Sequence, residues 1–171
     1  MSDDDGLRFW TALHADRGAL VRAFGDEDFI ADRLARQDRG HGQLLTAWLH
    51  EQLVGEVYLW MGEADEPEIR RHLPGVPLLN HVEVRSDLRN RRIGRRLVDA
   101  AERRLYGFGY DRVALAVRTD NYGAKRLYER LGYQDWGHST VKCWYEERLA
   151  DGERKQATET CHVMVKKLVS G

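Results

Sequence analysis

The chain has few cysteines, almost no net charge and no long apolar run. Its 171 residues contain two cysteines, Cys143 and Cys161, without C-x-x-C spacing, so we expect a reduced, cytoplasmic protein rather than a disulfide framework. No segment approaches the roughly 18 apolar residues that cross a bilayer, and the acidic N-terminus lacks the basic start of a signal peptide, so no membrane partner is expected. A formal net charge of −1 gives no overall attraction to nucleic acid.

Metal-binding motifs are also lacking. The cysteines and the histidines near them, His138 and His162, do not have the spacing of a zinc motif, so the sequence predicts no metal site. What is present, 42% hydrophobic and 32% charged residues, is typical of a globular protein. We expect residues 1–171 to form a single domain.

The hydrophobic pattern predicts alternating strands and helices. Asp26 is the expected N-cap of the second helix. The predicted order is a strand at 7–13, two short helices within 20–34, a hairpin of strands at 43–49 and 53–61, an irregular segment at 62–77 with one helical turn at 68–72, a strand at 77–84, a helix at 94–107, a strand at 112–117, a helix at 121–131, and strands at 134–145 and 158–168.

The middle of this order, strand–helix–strand–helix, indicates a parallel strand pair with right-handed crossovers. Hairpins on both sides make the whole sheet mixed, so the predicted class is α/β, or α+β in some schemes. The C-terminal pair of strands either completes the sheet in one subunit or exchanges with a partner, and an edge strand with Val163, Val165 and Leu168 would offer a surface for a possible homodimer.

A basic loop follows the strand that ends at Val84 and leads into the helix near Gly94. The N–H groups of a helix start have no internal partner and carry partial positive charge, so phosphate binds well there. Gly94 would let an anion approach the backbone closely. The loop therefore predicts a pyrophosphate site. The alternatives are a solvated basic helix face and a nucleic-acid surface, and the latter lacks interleaved aromatic residues. The surrounding cations are Arg89, Arg91, Arg92 and Arg95.

The helix at 121–131 begins directly after a strand, with Asp120 or Asn121 as its N-cap. Ala124, Leu127, Tyr128 and Leu131 share one face of it. Taken alone, Tyr128 reads as a core aromatic residue.

Together the loop and this helix resemble the GNAT superfamily of N-acetyltransferases. The segment 89–94, Arg-Asn-Arg-Arg-Ile-Gly, is similar to the family's pyrophosphate signature Arg/Gln-x-x-Gly-x-Gly/Ala. The segment 133–137 also resembles actinobacterial members. The second family signature, Asn-x-x-Ala-x-x-x-Tyr-x-x-x-Gly-Phe/Tyr, matches Asn121, Ala124, Tyr128, Gly132 and Tyr133.

The resemblance implies a fold with a mixed sheet of six or seven strands and about four helices, in which the two central parallel strands splay apart in a V. It also implies acetyl-CoA as cosubstrate. Arg92 stands where the signature has its first glycine, so its side chain either clamps the pyrophosphate or points outward. The cofactor-binding residues that it implies are Val82, Val84, Arg89, Asn90, Arg91, Arg92, Ile93, Gly94, Arg95, Asn121, Ala124 and Tyr128.

Catalytic roles follow from the same resemblance. An amine attacks the thioester directly in a ternary complex, while a backbone N–H at Val84 or Val82 meets the carbonyl. Tyr128 matches the general acid that protonates the thiolate. The general base is left open between Glu83 and His81, two residues apart on one strand, with Glu56 on the preceding hairpin as a third candidate.

The expected acceptor is a small cationic amine such as an antibiotic or a polyamine. An acidic excursion at 63–68 would attract such a molecule, although a solvated loop explains it equally well. The alternatives are acetylation of a protein N-terminus or lysine, and a CoA-binding sensor without turnover.

Overall fold

The computed structural model describes residues 6–89 and 91–169, with the backbone alone at 146–148. Short 3-10 turns at His14–Asp16 and Ser86–Leu88 join the longer elements. In chain order these are β1 (Leu7–Thr11), α1 (Arg17–Phe24), α2 (Glu27–Asp38), β2 (Gly42–Leu49), β3 (Gln52–Trp60), α3 (Pro67–His72), β4 (Leu78–Val84), α4 (Ile93–Gly107), β5 (Arg112–Arg118), α5 (Tyr122–Arg130), β6 (Gln134–Asp135), β7 (Val141–Arg148) and β8 (Arg154–Lys167).

All eight strands belong to one mixed sheet in the order β1-β2-β3-β4-β5-β8-β6, and β7 also pairs with β8. Every pairing is antiparallel except that of β4 with β5. The predicted mixed α/β sheet is confirmed. The predicted parallel strand pair is formed by β4 and β5. On its other side β5 is not parallel to its neighbour, because it pairs antiparallel with β8 along its full length.

Helices cover both faces of the sheet, which explains why β2 and β3 read as nearly continuous apolar runs. On β2, Leu44 packs in a core with α1 and α2, whereas its neighbour Leu45 packs in a second core beneath α4. Side chains alternate between the faces of a strand, so two covered faces require apolar residues at consecutive positions.

The helices form where the local pattern predicts them. Asp26 caps α2 by accepting a hydrogen bond from the Phe29 N–H at 3.1 Å. In α4 the residues Leu97, Val98, Ala101 and Leu105 recur at helical spacing and are buried against the sheet. No described helix has the length and apolar character needed to span a membrane.

The C-terminal part differs from the prediction. The expected strand at 134–145 is broken into β6 and β7, because Gly137 turns the chain with φ +84° and the Trp136 indole donates to the carbonyl oxygens of His138 and Ser139. Of the two arrangements predicted for the C-terminal strands, the described chain has the one that completes its own sheet. β8 lies between β5 and the pair β6 and β7, and Val163 is buried, so β8 does not provide the dimer edge considered above. The division of the expected strand into β6 and β7 brings the described chain to eight strands, and α3 brings it to five α-helices.

Candidate active site

The centre of the sheet opens where β4 and β5 separate. Only two residue pairs join these parallel strands, Leu78 with Ala114 and Leu79 with Leu115. Beyond Leu79, β4 continues to Val84 without a further paired residue on β5 in the described chain. The backbone edge of residues 80–84 that faces β5 is therefore available to hydrogen-bond a ligand in strand fashion.

A β-bulge lies in this same part of β4. Glu56 of β3 pairs with Glu83, and Tyr58 pairs with Asn80, so one residue of β3 opposes two residues of β4. His81 takes the extra position with a left-handed φ of +57°. An L-residue in that region is uncommon, and bulges are frequent beside active sites because they redirect a side chain.

The bulge brings three ionisable side chains together. We call Glu56, His81 and Glu83 the acid–histidine cluster. His81 Nε2 lies 2.7 Å from Glu83 Oε2 and 3.8 Å from Glu56 Oε1. The Glu56 side chain is 1% exposed, against 47% for His81 and 30% for Glu83. A buried carboxylate thus sits behind a half-exposed imidazole, and all three sequence-predicted candidates for the base meet at one place.

Burial dominates the electrostatics of the cluster. Desolvation raises the pKa of Glu56 to about 7, with His81 opposing the shift and Glu83 and Asp26 adding to it. The hydrogen bond with Glu83 raises the pKa of His81. The cluster therefore exchanges protons near neutral pH, the range in which a general base is most effective.

Helix α2 forms one wall of the cluster. The Phe29 ring lies 4.7 Å from the His81 ring, and the Arg33 guanidinium lies 4.3 Å from the centre of the Phe29 ring. Arg33 Nη2 donates to Asn80 Oδ1 at 2.8 Å, which fixes the residue before the bulge. Sequence reasoning missed this wall, because the residues of α2 carry no motif and meet β4 only through tertiary packing.

The start of α4 has the properties expected of an anion site. Arg92 is its N-cap, with φ +64° and no side-chain cap. The first hydrogen bond within the helix runs from the Arg96 N–H to the Arg92 carbonyl oxygen at 3.1 Å, so the N–H groups of Ile93, Gly94 and Arg95 have no partner in the helix. The left-handed backbone at Arg92 gives a physical reason for glycine at this position in the family signature.

The arginines around this start, which we call the arginine loop (Arg89, Arg91, Arg92 and Arg95), are exposed. Asn90 lies outside the described residues. Arg92 and Arg95 face a cavity of about 510 Å³ between α4, the end of α5 and β8. The other charged side chains that line the cavity are Arg96, Asp99, Glu102, Arg130 and Lys166. Cations outnumber carboxylates here, which suits a phosphorylated ligand.

The second motif helix, α5, starts at a capped residue. Asn121 Oδ1 accepts a hydrogen bond from the Ala124 N–H at 3.1 Å, so Asn121 is the N-cap and its amide group is left to donate elsewhere. Asp120 pairs with Arg118 at 2.7 Å instead. Ala124 is half-buried and packs against the core under α4.

Tyr128 is half-buried on the inner face of α5. Burial raises its pKa to about 12, and its hydroxyl makes no hydrogen bond within the described part of the chain. Its ring meets the Tyr133 ring edge-on at 5.7 Å. The Tyr133 hydroxyl, in contrast, has a hydrogen-bond partner. It donates to buried Glu102, which also pairs with Lys166. Tyr133 therefore has a structural partner and Tyr128 has an uncommitted hydroxyl.

Comparison with known proteins places this geometry in a family. The sequence profile of the acetyltransferase (GNAT) family matches residues 9–133. A search of curated protein sequences finds no match. Among solved structures, the ribosomal-protein-S18-alanine N-acetyltransferase of Escherichia coli aligns over 96% of both chains with a TM-score of 0.68 and 17% identity.

Two further structures are similar. Naa20 of Chaetomium thermophilum, solved with a bisubstrate analogue, has a TM-score of 0.67 and 22% identity, covering 94% of this chain and 86% of that one. The PaiA N-acetyltransferase of Thermoplasma acidophilum, solved with coenzyme A, has a TM-score of 0.62 and 14% identity over 95% of this chain and 99% of that one. At identities this low, these structural similarities show that the fold is shared and nothing further.

Proposed function

The chain belongs to the GNAT family of acetyltransferases, and on that premise we propose that it transfers acetyl from acetyl-CoA to a primary amine by direct attack in a ternary complex. The observation that carries the proposal is the opening between β4 and β5, which lies between the acid–histidine cluster and the arginine loop. One side of the opening suits phosphate, and the other suits an amine.

Acetyl-CoA supplies a thioester whose acetyl group the amine accepts. The unpartnered N–H groups at the start of α4 and the arginine loop would hold its pyrophosphate. Asn90 is assigned to the same pyrophosphate site on the family resemblance alone. The free edge of β4 would pair with the pantetheine, and the backbone N–H of Val84 or Val82 would polarise the carbonyl. Asn121, through its free amide, and Ala124 would line the other wall.

The acid–histidine cluster would receive the proton of the attacking amine. The sequence left Glu83, His81 and Glu56 as alternatives, and the contacts support one connected unit. His81 and Glu83 are more accessible to an entering amine than Glu56 is, since their side chains are 47% and 30% exposed and that of Glu56 is 1% exposed. Glu56 would then act from behind, holding charge that stabilises a protonated His81 at 3.8 Å.

Tyr128 would protonate the departing thiolate. Its high pKa keeps the hydroxyl protonated at any working pH, and a thiolate buried beside it would have its own pKa raised by the same desolvation. The uncommitted hydroxyl also supports turnover over a sensor that binds CoA without reaction.

The acceptor would be a small cationic amine. Glu56 and Glu83 lie at the opening, and Asp26 is close enough to raise the pKa of Glu56. The acidic excursion at 63–68 leads into α3, which packs its Ile69 into a separate core with Val141 and Cys143, and a solvated loop explains its charge equally well. One of the similar structures is named as a ribosomal-protein-S18-alanine N-acetyltransferase, so a peptide N-terminus or lysine is the alternative acceptor.

Further features of the protein belong to the same proposal. One sheet contains strands from both ends of the described chain, which supports a single domain over 1–171. Free Cys143 and Cys161 support a cytoplasmic location. A homodimer would have to use another edge than β8, such as β1. We also propose that the sequence is of the actinobacterial type, on the resemblance of residues 133–137 to actinobacterial family members.

A release assay tests the function. Purified protein is incubated with acetyl-CoA and a panel of aminoglycosides, polyamines, amino acids and peptides, and free thiol is measured in the presence of EDTA. We expect release above the background hydrolysis with at least one cationic small amine. Absence of acetyl-CoA binding at millimolar concentration would overturn both the transferase and the sensor. Binding without release on any acceptor would favour the sensor.

A further inference from the structure

The acid–histidine cluster also has the composition of a metal site. Glu56 comes from β3, and His81 and Glu83 come from β4. One ligand atom from each of the three side chains lies within 4.8 Å of the other two. Because a first-row metal ion binds its oxygen and nitrogen ligands at about 2.0–2.2 Å, atoms at this separation can surround one ion after small side-chain rotations.

A second observation, an unpartnered carboxylate oxygen, also indicates a ligand at the acid–histidine cluster. Glu56 Oε2 is buried and has no hydrogen-bond partner within the described part of the chain, although the residue is 1% exposed. Such an unpartnered buried polar atom is unusual in proteins, since desolvation without compensation costs about 1–3 kcal/mol. Its carboxylate faces the cluster, as the 3.8 Å approach of Oε1 to His81 Nε2 shows. A cation in the cluster would give this oxygen a partner.

The ligand set selects the kind of ion. One imidazole nitrogen with two carboxylate oxygens suits Zn²⁺ and its first-row neighbours better than Mg²⁺ or Ca²⁺, which prefer oxygen alone. Two carboxylates balance the charge of a divalent ion. Three protein ligands leave a coordination position open towards the half-exposed side of the cluster, where the acceptor amine would enter.

We propose that Glu56, His81 and Glu83 bind a divalent first-row metal ion such as Zn²⁺, and that the bound ion inhibits acetyl transfer by occupying the groups that would receive the amine proton. The binding part stands without the proposed function, whereas the inhibition part rests on it. This proposal departs from the sequence-based expectation of no metal site, which rests on the spacing of Cys143, Cys161, His138 and His162.

The surroundings limit the affinity. Arg33 lies close enough to oppose a positive charge at Glu56 and His81, while its guanidinium donates to Asp32 and Asn80. Asp26 and Phe29 are the other neighbours from α2. We therefore expect reversible binding that a chelator such as EDTA removes, as suits an inhibitory ion.

Binding is tested on the full chain after EDTA treatment and desalting. Zn²⁺ is titrated in competition with a chromophoric chelator, and thermal unfolding is followed in parallel because an ion that binds only the folded state raises the Tm. We expect one ion per chain, and loss of affinity by more than about tenfold in both His81→Gln and Glu83→Gln. The unfolding transition shows whether each variant is folded.

Two control variants separate this site from other candidate ligands. His72→Gln removes a histidine whose ring stacks on His138 at 3.7 Å, and Cys143→Ser removes a buried thiol. Both should keep wild-type affinity. The inference is wrong if wild-type protein binds no Zn²⁺ at millimolar ion, or if a control variant loses the ion while folded His81→Gln keeps it.

Inhibition is measured through the acetylated product, because Zn²⁺ also binds free CoA thiol. We expect Zn²⁺ to raise the apparent KM for the amine and EDTA to reverse the effect. Unchanged or faster transfer with the cluster occupied would overturn the inhibition. Zn²⁺ binding without any transfer in EDTA would instead refute the proposed function and leave the metal site standing.

Discussion

The arginine loop and the acid–histidine cluster lie on either side of one opening in the sheet and are built in opposite ways. The loop is contiguous in sequence, exposed and positioned by the backbone of a helix start. The cluster is assembled from two strands, holds a carboxylate that is 1% exposed and depends on a bulge. Effects at the loop should therefore be graded and screened by salt, and effects at the cluster should be large and depend on pH.

The largest effect is expected at the buried member of the cluster. Glu56→Gln should lower kcat/KM for the acceptor by roughly 10²–10⁴-fold, the usual contribution of general acid–base groups, because the imidazole loses the negative charge behind it. Initial rates in EDTA provide the measurement. Glu63→Gln, at an exposed glutamate outside the cluster, is the matched control and should behave as wild type. A Glu56→Gln rate close to that of the control would show that His81 does not need the negative charge of Glu56 to accept the proton.

Tyr128 lies on the second motif helix, α5, and is half-buried, unlike the exposed arginine loop. Tyr128→Phe keeps the ring packing and should reduce kcat by about 10²-fold, the lower end for a general acid, with little change in the KM for acetyl-CoA. Tyr122→Phe is the matched control on the same helix, because the Tyr122 side chain is exposed. Equal turnover in the two variants would reduce Tyr128 to a packing residue.

The same burial predicts a stability effect with the opposite sign to the activity effect. The pKa of Glu56 is raised from 4.5 to about 7 in the folded state, so the contribution of this group to wild-type stability is fully present below pH 4.5 and is lost as pH rises through 7. Glu56→Gln has no such loss. Relative to wild type it should gain stability between pH 5 and pH 8, by at most about 3 kcal/mol.

Urea unfolding in EDTA at the two pH values gives this difference. A gap between the proteins that stays constant with pH would mean that Glu56 titrates normally and is not the buried group that the cluster requires. Glu63→Gln again serves as the reference, since it alters charge without altering a buried site.

The same contrast explains what the sequence could predict. The arginine loop and α4 were predictable because a helix start, a 3.6-residue apolar stripe and a local signature are all read from neighbouring residues. The splay of β4 from β5 followed from the resemblance. The partner of Glu83 could not be read, because strand register depends on pairing between distant segments and a one-residue bulge shifts it.

The predicted bounds of the C-terminal strands are wrong for a related reason. One strand is expected over 134–145, yet the chain turns at Gly137 and resumes pairing only at Val141. The polar residues 154–157, which precede the expected strand at 158–168, extend β8 because the matching residues of β7 offer a partner backbone. Backbone pairing outweighs side-chain pattern in such an exposed hairpin.

The smallest effect is expected at Arg92, where the loop departs from the family signature. A left-handed φ costs an L-residue about 1–2 kcal/mol, which glycine avoids at an entropic cost of about 0.5–1 kcal/mol. Arg92→Gly should therefore be as stable as wild type or slightly more so. It should also bind acetyl-CoA a few-fold more weakly at low salt, because one exposed cation is lost, and the deficit should shrink at high salt.

Arg92→Ala separates the two causes, since it removes the cation but keeps a Cβ in the left-handed backbone. If the side chain attracts phosphate, both variants should lose the same affinity and differ only in stability. If instead Arg92→Gly binds acetyl-CoA more tightly than wild type at every salt concentration, the arginine crowds the pyrophosphate. The loop would then resemble the cluster in depending on close steric fit, and the contrast between exposed and buried sides would have to be given up.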